Sequence, residues 1–245
     1  MQLIFIRHGE PNYEIDSLTE EGFLEADLLA KRIVTEQWPV TDIFQSPLGR
    51  AQDTARPTLK ALHREAETCS WLREFSCGEY TPPDGSRDTK KTPWDFYPNY
   101  WTADPKLGDR DAWTQADVMQ LMPENVADRF AEVKNGLDEV LARYGYHREN
   151  GYYRVDENAQ RDAVLVFFCH LGLAGVACGH LLNVAPPVLW HGFFLPASSV
   201  TVLNTEERQG DIAGFRCQVM GDTQHLRAGG RLVSPMGAYG PVFNG

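Results

Sequence analysis

Three short apolar runs, at residues 2–6, 40–44 and 163–169, each end abruptly in a polar loop that leads into a helical stretch. That alternation limits the accessible folds more than any other feature. A run apolar at nearly every position, such as Leu3-Ile4-Phe5-Ile6, suits a strand buried on both faces, as in a parallel sheet. The run at 163–169 is the most apolar in the chain and reads the same way. Past the loop at 7–18, Thr19 is placed to cap a helix whose first turn carries Glu20 and Glu21, favourable at the positive end of the dipole. Leu24, Leu28, Leu29 and Ile33 form its expected apolar stripe. Ser46-Pro47 places a serine at the expected N-cap and a proline at the first helical position of a helix running to about residue 62. A longer helix over 126–144 carries Phe130, Val133, Leu137, Val140 and Leu141 at helical spacing, and another is expected over 174–182. Later strands are expected at 200–203 and 215–220, parted by a polar turn at 206–210. Strands alternating with helices predict an α/β fold, a three-layer α/β/α sandwich around a mainly parallel sheet.

One stretch breaks this rhythm. Residues 80–123 are rich in Pro, Asp, Trp and Tyr and hold no sustained period. Loops of this length are often functional lids, so the stretch reads as an inserted cap over one end of the sheet. Its expected anchors are Trp94, Phe96, Tyr97, Tyr100 and Trp101. No repeat or linker divides the chain, so 1–245 reads as a single domain with a Gly-rich tail at 226–245, mobile or docking. The five cysteines are an odd set without a C-x-x-C pair, which argues against a disulfide framework and fits a reducing cytoplasm. No segment approaches the ~20 continuous apolar residues of a membrane helix. The first residues lack the basic flank of a secretory signal.

Acidic residues outnumber basic ones by 34 to 23, a net charge of −11. Such a chain has no general attraction for nucleic acid or an anionic membrane, and it could bind an anion only by gathering positive charge locally. The strand ends supply that charge. Arg7-His8-Gly9-Glu10 follows the first run, Ser46-Pro47-Leu48-Gly49-Arg50 the second and His170 the third. Ligands of open α/β sheets bind beyond the carboxyl ends of the strands, so two arginines and two histidines are expected at one edge. Arg50 also falls in the first turn of a helix, where free N–H groups favour an anion, and guanidinium forks match phosphate oxygens. Taken singly, each residue has a plainer reading, as a surface ion pair, a structural histidine or an ordinary helix start. Their joint occurrence points to a phosphate pocket. Competing chemistries fit less well. Gly172, Gly175 and Gly179 have the wrong spacing for a dinucleotide loop, no cysteine is followed six positions later by arginine, and His8 with Glu10 lacks further metal ligands.

The chain resembles the histidine phosphatase superfamily, also called phosphoglycerate mutase-like, in its R-H-G-E branch. The resemblance is carried in order by Arg7-His8-Gly9-Glu10, Leu18-Thr19-Glu20-Glu21-Gly22, the Ser46, Pro47, Arg50, Ala51, Thr54 and Ala55 block, Leu72 with Glu74 and Gly78, and His170. Gly221-Asp222-Thr223-Gln224-His225-Leu226 is similar to a loop of some phosphatase members. The resemblance implies phosphoryl transfer through a phosphohistidine on His8. Arg7, Arg50 and His170 would hold the phosphoryl oxygens, and Glu74 would serve as proton donor and acceptor, with Glu79 its rival. Gly9 would let the backbone pass close to the phosphate. Neither metal nor cofactor is implied, and the partner is a small-molecule phosphoester, with a homodimer compatible. The branch with a later His-Asp pair is disfavoured by Leu171, and Glu14 stands where mutases carry asparagine. The first functional reading is therefore a small-molecule phosphatase. A cofactor-dependent phosphoglycerate mutase is the alternative, and a non-catalytic phospholigand binder is the third. Arg87, Lys90 and Lys91 form a basic cluster that is either a solvated face or a grip, with Glu14, on a further part of the substrate.

Overall fold

The computed structural model describes residues 1–80, 92–238 and 240. In chain order the first half holds strand β1 (Gln2–Arg7), the ribbon strands β2 (Pro11–Asn12) and β3 (Ser17–Leu18), helix α1 (Glu20–Thr35), β4 (Asp42–Gln45), α2 (Gly49–Leu62) and β5 (Glu67–Thr68). Two short helices, α3 (Pro98–Trp101) and α4 (Asp117–Gln120), precede α5 (Val126–Ala142), the hairpin β6 (Tyr146–Glu149) and β7 (Tyr152–Val155), and β8 (Val164–Cys169). The chain continues through α6 (Leu171–Leu182), α7 (Pro186–Gly192), β9 (Val200–Gln209), β10 (Ile212–Asp222) and α8 (Gln224–Ala228).

Eight strands form one sheet in the order β5-β4-β8-β1-β9-β10-β7-β6. From β5 to β1 neighbours are parallel, and from β1 to β6 they are antiparallel. The apolar runs are buried on both faces because successive side chains alternate. Leu3, Phe5, Leu165 and Phe167 join the core beneath α5 and α6, while Ile4, Ile6, Val164 and Val166 join Leu29, Ile33 and Ala55 of α1 and α2. Phe5, Phe167 and Phe44 stack across the three parallel strands at 5.0 and 4.9 Å between ring centroids. This is a three-layer sandwich, and its parallel half carries the strand ends discussed below.

Several local expectations are corrected. Thr19 caps α1 as expected, its Oγ1 accepting from Gly22 N at 3.1 Å. Leu24, however, is 47% exposed, and Glu25 occupies the buried face in its place. The helix is rotated so that Glu25 Oε2 accepts the Glu10 N–H at 2.8 Å, a polar demand of the neighbouring loop that hydrophobic spacing cannot report. Helix α2 begins at Gly49 rather than Pro47. Ser46 is drawn into the site, and the helix end is capped from outside by Asp16 Oδ2, which accepts Gly49 N at 2.7 Å. The expected turn at 206–210 is largely strand, and the reversal comes at Gly210, whose φ of +57° suits glycine. The β6–β7 hairpin was unforeseen, although Asn150-Gly151 at its turn is a strong hairpin signal, with Asn150 at φ +54°. In the 92–123 segment Phe96 is buried but Tyr97 is 39% exposed, and Leu107, Trp113, Ala116 and Met119 are the deeply buried anchors.

Candidate active site

The three strand ends are held side by side by an extension of the parallel ladder. His8 N donates to Cys169 O and Ser46 N to Phe168 O, each at 3.0 Å. Arg7, His8, Ser46 and His170 are all buried there. The two imidazoles face each other with ring centroids 5.2 Å apart and planes inclined at 57°. His8 Nδ1 lies 2.7 Å from Gly9 O. A carbonyl can only accept, so Nδ1 carries the proton and Nε2 keeps its lone pair. His170 Nε2 pairs with Ser46 Oγ at 2.7 Å, and its Nδ1 has no partner among the described residues. Burial, with Arg7 and then Arg50 acting in the same direction, holds His8 well below the usual imidazole range despite the Gly9 carbonyl. His170 is depressed likewise, by burial first and then by His8 and Arg50.

Both arginines are locked in orientation. Arg7 Nη1 donates to Leu195 O at 2.6 Å, and the guanidinium lies 6.0 Å from the Phe194 ring centroid. Arg50 Nη1 pairs with Asp16 Oδ1 at 2.5 Å and stacks 5.5 Å from the Tyr13 ring centroid. Asp16 thus serves two groups at once, the Arg50 fork and the first N–H of α2, from a backbone at φ +48°. Opposite, Glu74 Oε1 accepts Phe75 N at 2.7 Å and Leu173 N, in the first turn of α6, at 3.0 Å. Burial raises its pKa, with these two N–H groups and both arginines pulling the other way. Trp94 closes that side, its Nε1 donating to Phe75 O at 2.8 Å. A Cβ on Gly172 would lie 2.5 Å from Trp94 Cδ1 and 2.8 Å from Glu74 Oε1, which is why glycine stands there. Arg129 supports the same loop from behind, donating to the Trp71 and Arg73 carbonyls at 3.1 and 2.7 Å.

A segment before β9 holds the loop of His8. Ser198 N donates to His8 O at 3.0 Å and Arg7 N to Ser199 O at 3.1 Å. Ser198 adopts φ +55°, costly for serine, and its hydroxyl meets buried His225 Nε2 at 3.0 Å. Gly9 is constrained by packing as well. Its Cβ position lies 2.8 Å from Gly22 O, so the close approach is to helix α1.

Arg7, His8, Arg50, Glu74 and His170 are therefore brought together around one pocket. Glu79 is exposed. Glu14 is also exposed, its backbone N–H donating to Asn12 Oδ1 at 3.2 Å. Arg87, Lys90 and Lys91 lie outside the described residues. Tyr13, Asp16, Glu25, Arg129 and Ser198 were missed by sequence reasoning. Glu25 and Arg129 lie on the buried faces of α1 and α5 but carry no apolar signal, and the places of Tyr13, Asp16 and Ser198 depend on contacts between distant elements. His225 was flagged only as part of a loop. Among the described residues, no group of three or more His, Cys, Asp or Glu side chains could hold a metal, and no helix is long and apolar enough to cross a membrane.

The family model described as histidine phosphatase superfamily (branch 1) matches residues 3–218. Among solved structures, the chain is similar to a phosphoserine phosphatase mutant from Entamoeba histolytica in complex with phosphoserine, at 20% identity and TM-score 0.56, covering 92% of this chain and 98% of that one. A mycobacterial glucosyl-3-phosphoglycerate phosphatase matches at 20% identity and TM-score 0.59, covering 90% and 98%. A protein described as mycobacterial hydrolase 2 matches at 22% and 0.60, covering 90% of each chain. At these identities the likeness shows the fold. A search of curated protein sequences finds no match.

Proposed function

The chain belongs to branch 1 of the histidine phosphatase superfamily, and from that membership and the pocket we propose that it hydrolyses small-molecule phosphomonoesters through a phosphohistidine on His8. One observation carries the reading: the Gly9 carbonyl accepts a hydrogen bond from His8 Nδ1–H, leaving the Nε2 lone pair free beside two oriented guanidinium groups. In the first step Nε2 attacks phosphorus, the P–N bond forms and the P–O bond to the alcohol breaks. Arg7, Arg50 and His170 stabilise the equatorial oxygens, with His170 donating through Nδ1 while the Ser46 hydroxyl donates to its Nε2. Glu74, whose pKa is raised by burial, gives its proton to the departing oxygen. In the second step the oxygen of water attacks phosphorus while Glu74 takes its proton, the P–N bond breaks with its electron pair returning to Nε2, and inorganic phosphate leaves. Trp94 and the segment that carries it form the cap beside the leaving group. The relatives described as acting on phosphoserine and glucosyl-3-phosphoglycerate support a small phosphorylated metabolite as substrate. Five free cysteines support a reducing cytoplasm.

The reading is tested with an aryl phosphate, a panel of metabolite phosphoesters, and 3-phosphoglycerate with bisphosphoglycerate primer. Release of inorganic phosphate is expected. Isomerisation without release would establish the mutase, and silence in every assay the phospholigand binder. His8→Ala should lower kcat/KM on the order of a thousandfold or more and abolish the acid-labile phosphoenzyme trapped from wild type. Near wild-type turnover in that variant would exclude the covalent route.

A further inference from the structure

Outside the reaction centre, a cavity of about 350 Å³ opens at the far end of α6, lined in part by Arg110, Lys134, Arg148, His180, Asn183 and Phe130. Small-molecule sites begin at about this size. His180 lies nine residues along the helix from Leu171, about 14 Å at the helical rise. We propose that this cavity is a second anion site that takes the phosphoryl group of a small metabolite without reacting with it. Three cationic side chains, Arg110, Lys134 and Arg148, line the cavity in a chain whose net charge is −11, and Asp111 is the one carboxylate among the lining residues. Asp111 pairs with Arg110 at 3.2 Å. Asp138, next to His180, is engaged by His180 Nε2 at 2.9 Å and the Tyr153 hydroxyl at 2.7 Å.

Arg148 is the built part of the site. Its Nε donates to Asn150 O at 2.7 Å, and its Nη2 donates to His180 O at 3.1 Å and Asn183 Oδ1 at 3.0 Å. The bond to His180 O offsets the negative end of the α6 dipole, which would otherwise repel an anion. Its Nη1 is buried and has no hydrogen-bond partner among the described residues, and its guanidinium is held against the Tyr153 ring, 4.9 Å from the centroid. Arg110 Nη1 donates to the same Asn183 Oδ1 at 3.0 Å, so the two guanidinium groups are tied to one amide. Lys134 Nζ lies 4.4 Å from the Phe130 ring centroid and has no carboxylate partner among the described residues, leaving its charge for a ligand. A guanidinium fork beside an ammonium supplies both the directional donors and the point charge that phosphoryl oxygens take up.

Tungstate, a tetrahedral dianion with strong anomalous scattering, tests the assignment in crystals, and inorganic phosphate titration tests it in solution. Two anomalous peaks are expected, one at the reaction centre and one between Arg148 and Lys134. Lys134→Glu, at a side chain that makes no hydrogen bond among the described residues, should remove the second peak alone. It should weaken phosphate binding at that site at least tenfold and leave turnover unchanged. Arg148→Met should act in the same direction. No peak in the cavity, or a peak indifferent to Lys134→Glu, overturns the proposal, as does citrate binding there as tightly as phosphate. Loss of the reaction-centre peak alone would count against the hydrolytic reading and not against this one.

Discussion

Around His8 the pocket separates the proton affinities of its two working groups, and both shifts start from burial. The imidazole is pushed down, which favours its neutral form, while the Glu74 carboxyl is pushed up, which favours its protonated form. The free-enzyme kcat/KM should therefore fall on the acid side as His8 protonates and on the alkaline side as Glu74 ionises. In Glu74→Gln the alkaline limb should vanish, and alkyl phosphates should slow far more than aryl phosphates, whose leaving groups need little protonation. Equal losses for both substrate types would move the acid role elsewhere. Glu25 makes a separate pH prediction. It is wholly buried, its pKa is raised to about 7 by burial, and Oε1 lacks a partner among the described residues. Because the folded-state value exceeds the unfolded one, its favourable contribution is complete below about pH 4.5 and is lost as pH rises towards 7. Glu25→Gln should remove that fall and exceed wild type by up to about 3 kcal/mol at pH 8, as read by denaturant unfolding at pH 5 and 8. Neither Glu25 nor Asp16 was legible in the sequence, because each is defined by a backbone N–H, of the Glu10 loop and of the start of α2, that only the fold brings to it.

Helices and strands show where periodicity suffices and where it does not. The stripe of α5 was readable, since Val133, Leu137, Val140 and Leu141 all face the core. For α1 the same reasoning chose Leu24 and overlooked Glu25, a misplacement of one position on the helix. Helix α5 also contains Gly136, where propensity and packing oppose each other. Replacing a helical glycine by alanine ordinarily gains about 1 kcal/mol, but a Cβ here would lie 2.3 Å from Trp71 Cδ1. Trp71 precedes the Glu74 loop and packs against Phe167, so it has little room to retreat. Gly136→Ala should therefore destabilise by about 1–3 kcal/mol, the usual cost of overpacking. A stabilised variant in thermal unfolding would show that the indole moves freely.

At the scale of the whole molecule, distant parts of the chain meet beside the nucleophile loop. Ser234, nearly buried, donates to Glu10 Oε2 at 2.5 Å, while Thr19 donates to Oε1 of the same carboxylate at 2.9 Å. Ser234→Ala should cost about 1.5 kcal/mol, as for a hydrogen bond to a charged group, and lower Tm by roughly 3–6 °C for a chain of this size. An unchanged Tm would mean the contact is absent in solution. The amino-acid order alone determined the α/β layering and singled out Arg7, His8, Arg50, Glu74 and His170, the set we propose for the chemistry, because strand burial and residue chemistry are local properties written at fixed positions. Only the tertiary structure decided what orients each guanidinium and which carboxyl pKa values burial raises. Those properties come from hydrogen bonds and desolvation between segments up to 188 residues apart, as with Arg7 and Leu195, and no window along the chain contains both partners.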